Sequence, residues 1–185
     1  MKKFKLALAG VAIVVGAVGA SVTGVFAASQ SANVTINATI QEVISAASFG
    51  TTPNEFNVTP GATVQTSSAQ QIRISTNAAG GYILYVKDAD NDTSLRLNAS
   101  NNIAASTNAF TSPNTLANNT WGYRLSTFTA NHYAGITDTN VQINSATGPV
   151  SNHPTDITYG VLVDSSKISG TYTDVITYTA VTPAG

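Results

Sequence analysis

The chain is predicted to be all-β, a two-sheet β-sandwich of immunoglobulin-like or jelly-roll-like type, preceded by an N-terminal signal-peptide helix. Three observations lead there. Beyond residue 27 the chain holds 25 Thr, 17 Ser and 17 Asn, a balance that favours strands and turns over helices. Apolar residues recur with period two in several segments, the spacing of half-buried strands. The first 27 residues differ from all of this, being basic and then apolar.

That first segment sets the compartment. Lys2, Lys3 and Lys5 lead into the apolar residues 6–20, and Val25-Phe26-Ala27 closes the run. A basic start, an apolar stretch and a small-residue end read as a secretory signal peptide, cut between Ala27 and Ala28. Residues 28–185 are then one exported domain, secreted or held at the cell surface. If the leader stays uncleaved, its apolar stretch is just long enough to anchor the chain in a membrane.

Charge and composition narrow the partners. Three of the eight Lys and Arg lie in the leader, so residues 28–185 carry five against nine Asp and Glu. A net charge near −4 argues against nucleic acid, which needs clustered cations to neutralise phosphates. It argues equally against docking on anionic lipid. The chain has no Cys, which excludes disulfides, thiolate metal sites and thiol catalysis.

The elements follow in order. Over residues 33–40, Val34, Ile36, Ala38 and Ile40 alternate with Asn33, Thr35, Asn37 and Thr39, predicting a strand. Turn signals at Phe49-Gly50, Pro53-Asn54 and Pro60-Gly61 bracket a short strand over 55–59. Residues 70–76 form the next strand, with Ile72 and Ile74 on the core side. Residues 77–81 make a tight connection. Residues 82–87 are apolar on both faces and suit a central strand. A short strand is expected over 94–98, and residues 98–120 read mainly as loop. Strand character resumes over 121–128 and briefly over 141–143, while 144–154 is turn-rich. Residues 156–163 alternate again, and 171–181 are rich in Thr, Tyr and Val. These last two segments are expected to pair as a β-hairpin.

The order of these elements resembles a known family. Ile72 to Lys87 reads as strand, turn and strand; Leu95, Leu97 and Ile103 follow; Trp121-Gly122-Tyr123 sits centrally. Val161 to Val163 and the run from Ser169 to Thr179 close the chain. This resembles the WxL-type surface domains of Gram-positive bacteria. The resemblance implies an exported β-sandwich attached non-covalently to the cell wall. The defining C-terminal Trp-x-Leu pair is absent: Tyr178-Thr179-Ala180 stands in its place. The closing strand also resembles the last strand of fimbrial and spore-coat-type subunits.

Two clusters are candidate sites. Asp88, Asp90 and Asp92 stand at alternate positions and can direct carboxylates at one calcium ion, a hard cation that takes oxygen ligands. Thr93 and Ala99 occupy the sixth and twelfth positions, where an EF-hand has Gly and Glu, so the loop is not one. The other reading of the same residues is a solvated turn. Trp121, Tyr123 and Arg124 suit a sugar-binding face, the aromatic rings stacking on C–H groups. The other reading places Trp121 in the core, where large aromatics usually pack. His132 and His153 belong to no HExxH helix, and no Gly-x-Ser-x-Gly elbow occurs.

The sequence therefore predicts a non-catalytic structural or adhesive protein of a bacterial surface. Its expected partners are cell-wall polymer or other surface proteins, and its only expected ion is calcium. Two further readings stay open: a pilus or fibre subunit in which residues 28–40 complete a neighbour's sheet, and a carbohydrate-binding module built on Trp121. No Leu-Pro-x-Thr-Gly sorting sequence occurs, so covalent attachment at the C-terminus is not expected.

Overall fold

The computed structural model describes residue 38, residues 40–47 and residues 57–183. The leader, and all of the expected 33–40 strand except residues 38 and 40, lie outside the described residues. Residues 57–59 of the expected 55–59 strand are irregular. No described helix is long and apolar enough to cross a membrane.

Ten strands make up the described chain. They are β1 (Ile44–Ala47), β2 (Gln65–Thr66), β3 (Gln70–Thr76), β4 (Tyr82–Asp88) and β5 (Leu95–Asn98). After them come β6 (Asn101–Ala105), β7 (Thr120–Leu125), β8 (Val141–Ala146), β9 (Val150–Leu162) and β10 (Ile176–Val181). The larger sheet runs β1-β3-β9-β7-β6-β5, with β2 also on β9. The smaller runs β10-β4-β8, so β4 is central, as its two apolar faces suggest. The result is all-β with two sheets, consistent with a β-sandwich.

One core joins the sheets. Ile72 and Ile74 of β3, Tyr82, Leu84 and Val86 of β4, Trp121, Tyr123 and Leu125 of β7 and Ile157 and Val161 of β9 are buried together. Burying side chains of this size stabilises by about 1.5–3 kcal/mol each relative to exposure. The chain changes sheet five times, between β3 and β4, β4 and β5, β7 and β8, β8 and β9, and β9 and β10. The first of these corners needs Gly81, whose φ is +77°, and a Cβ there would stand 1.9 Å from the Ala146 carbonyl oxygen.

The outer face of the larger sheet is covered by the connections around β7. Gly122 and Gly160 lie opposite each other in β7 and β9. Tyr133 fills the space left there, its ring edge 2.4 Å from where a Gly160 Cβ would stand. Tyr133 and Ala134 are fully buried by this packing.

Three expectations are corrected. The 98–120 loop contains β6, which pairs with β5 and, in parallel, with β7. Its sequence, Asn-Asn-Ile-Ala-Ala, has little β propensity, and the strands on either side hold it in place. The turn-rich 144–154 segment is mostly strand, since β8 runs to Ala146 and β9 begins at Val150. Pro154 is tolerated because this half of β9 pairs with β3, while the β7 register starts only at Ile157. Finally, residues 156–163 and 171–181 do not form a hairpin. β9 stays in the larger sheet, and β10 crosses to pair antiparallel with β4. That crossing covers the free edge of β4 and brings Ile176, Tyr178 and Ala180 onto the core.

Replacing Gly81 by Ala should destabilise the protein by about 1–3 kcal/mol in urea unfolding, because strain and overpacking coincide there. Gly61→Ala, with nothing within 4 Å of its Cβ, should stay within about 0.5 kcal/mol of wild type.

Candidate metal centre

Strand alternation directs every second residue of β4 inward. Tyr82, Leu84 and Val86 are buried on this face, and Asp88 continues the series with 0% exposure. A carboxylate in that position loses its water, which costs several kcal/mol unless something replaces it. The Asp88 amide donates to the Thr137 carbonyl at 2.8 Å, and the Ala89 amide to the Val175 carbonyl at 3.0 Å. The end of β4 is thereby fixed on both sides.

The chain then turns through three successive Asp-capped steps. Asp90 N–H donates to Asp88 Oδ2 at 3.0 Å, Asp92 N–H to Asp90 Oδ1 at 2.9 Å and Ser94 N–H to Asp92 Oδ1 at 3.3 Å. Asn91 takes a φ of +70°, a left-handed conformation that Asn tolerates better than most residues. Asp174 enters from the segment ahead of β10, because Ile176 lies opposite Asp88 in the β10–β4 register. Its Oδ1 accepts the Val175 N–H at 2.7 Å.

Carboxylate oxygens of Asp88, Asp90 and Asp174 lie within 4.8 Å of one another. Asp88 Oδ1 and Asp174 Oδ2 are buried and receive no hydrogen bond. Burial, helped by the neighbouring Asp88 and Asp90 carboxylates, raises the Asp174 pKa to about 7, with the Val175 N–H acting the other way. Like charges this close oppose joint ionisation. The group can be neutralised by a proton or by a cation.

Two of the three sequence candidates, Asp88 and Asp90, thus belong to the cluster. The third, Asp92, turns away and forms an ion pair with Arg96, which is half exposed. Such surface pairs contribute about 0–1 kcal/mol. Asp174 was not expected. Local spacing cannot reveal it, since only the pairing of β10 with β4 brings it here. The depth of Asp88 was foreshadowed by the period of Tyr82, Leu84 and Val86, extended by one step.

The other candidate set is not gathered on one surface. Trp121 is 2% exposed, and its Nε1–H donates to the Thr93 carbonyl at 3.0 Å. The indole therefore secures the acidic loop from below, and its faces lie in the core. Tyr123 is also buried, and burial, with the Tyr159 phenol beside it, pushes its hydroxyl pKa well above the usual tyrosine value. Arg124 points to the opposite face of β7, its guanidinium 5.8 Å from the centre of the Tyr133 ring.

Both imidazoles are engaged in packing contacts. His132 Nδ1–H donates to the Pro113 carbonyl at 2.9 Å, and His153 Nδ1 shares a 2.7 Å hydrogen bond with the Tyr82 hydroxyl. Compared with protein-family models, curated proteins and solved structures, the chain matches none.

The raised Asp174 pKa has a definite sign. The folded protein keeps a proton that the unfolded chain begins to release at the ordinary value of 3.8. This contribution to stability is complete below that pH and is lost as pH rises towards about 7. In a chelator-containing buffer, Asp174→Asn should remove this downward component, so the variant gains in melting temperature relative to wild type between pH 4 and 7. A difference that stays constant across the window would contradict the assignment.

Proposed function

We propose that this chain is a non-catalytic protein of a bacterial surface, exported by its leader and serving a structural or adhesive role. Its sandwich is of immunoglobulin-like or jelly-roll-like type, and it is held without covalent linkage to wall polymer. The observation that carries this reading is the use made of the body's reactive and aromatic groups. Trp121, Tyr123 and Tyr133 are buried, and His132 and His153 are hydrogen-bonded within the fold. The basic-then-apolar start and the WxL-like order of strands add the address.

A second reading, the fibre subunit, draws on the edge of the larger sheet. β1 is the terminal strand there and pairs with β3. Ahead of it, Ile40 and Val43 are exposed at 86% and 60%. An open strand edge is a template for a donated strand, and the alternating residues 33–40 have the pattern of one.

The purified protein should co-sediment with isolated peptidoglycan and stay in the supernatant without it. Failure to sediment would remove wall attachment. If the second reading holds instead, the protein should form polymers visible by electron microscopy, and deleting residues 28–40 should return it to monomer. A full-length protein that stays monomeric at high concentration would exclude the fibre.

A further inference from the structure

A buried carboxylate oxygen with no donor needs a proton or a counter-charge. Asp88 has no exposed surface, and its Oδ1 is unpaired. Its other oxygen is tied down by the Asp90 amide. Asp174 repeats the arrangement, Oδ1 held by the Val175 amide and Oδ2 buried without a partner. In each residue a backbone N–H fixes one oxygen and so orients the other. We propose that Asp88, Asp90 and Asp174 form a binding site for a hard divalent cation of the calcium class, which fastens the end of β4 to the segment leading into β10. The site does not depend on the surface role proposed above.

Distance and donor chemistry both fit. Calcium binds oxygen at about 2.3–2.6 Å, so two of its ligands can lie up to about 5 Å apart. The three carboxylates supply oxygens within 4.8 Å of one another. The donors are all carboxylate, with no thiolate in the chain, which disfavours zinc and copper. Magnesium demands a stricter octahedron and gives up its water reluctantly, so a set of carboxylates drawn from two separate segments suits calcium better. Burial falls from Asp88 through Asp174 to the exposed Asp90, which leaves a route in from solvent and room for water to complete the shell.

The consequence is mechanical. The cation would cross-link the two strands at the end where Ala89 already bonds Val175. A ligand that binds only the folded state stabilises it by mass action, and its free concentration then sets the firmness of the last strand.

The test uses the full chain, stripped with EDTA and dialysed. Addition of about 2 mM calcium chloride should raise the melting temperature by several degrees and give a saturable one-to-one heat in titration calorimetry. Asp174→Asn and Asp90→Asn should weaken calcium binding at least tenfold while still melting cooperatively. Asp92→Asn should bind as wild type does. Absence of both heat and thermal shift at millimolar calcium would overturn the site. Binding retained by Asp174→Asn but lost by Asp92→Asn would overturn this ligand set. An equal response to magnesium would overturn the calcium assignment.

Discussion

Asp88 is the constraint around which this end of the molecule is arranged. It occupies the inward face of β4, in series with Tyr82, Leu84 and Val86. Moving it outward would require a one-residue slip of β4, which would turn those three apolar side chains to the other face. The sandwich core and the buried carboxylate are therefore two results of one register. That register is held from both sides, by β8 and by β10.

From it follows the course of the C-terminal strand. β10 crosses to the smaller sheet, covers the edge of β4 and sets Ile176 opposite Asp88. Asp174 then has no choice of neighbours. It faces Asp88 and Asp90, and burial together with their charge raises its pKa. Across the core, Tyr178 of β10 shares a 2.7 Å hydroxyl contact with Tyr159 of β9, so the same strand is tied to the larger sheet as well. Trp121 joins the arrangement through Thr93, linking the acidic loop to the centre of β7. Core packing, loop shape and the electrostatics of the acidic group are coupled at one end of the sandwich.

The local periods of the sequence carried much of the fold. Residues 70–76 and 82–87 read as strands because their apolar residues alternate, and the two isoleucines of β3 are buried as that alternation requires. What local pattern could not carry was partnership. β6 has a weak strand sequence and is held by neighbours on either side. The Thr-rich last segment looks the same whether it pairs with β9 or with β4; burial of the β4 edge decides the matter, and that is a property of the assembled sheets. The acidic site divides in the same way. Spacing alone groups Asp88, Asp90 and Asp92; in the fold Asp92 pairs with Arg96, and Asp174 joins the other two through a long-range pairing. Trp121 illustrates the opposite case, since a lone Trp in a strand suits a core or a sugar face equally until its surroundings are known.

The most direct measurement is a crystal structure of the protein grown in calcium. The expected result is a single ion bonded at about 2.3–2.6 Å to carboxylate oxygens of Asp88, Asp90 and Asp174, with β10 lying along β4. An Asp88 side chain turned to solvent, or an Asp174 carboxylate directed away from it with no ion between them, would contradict the account.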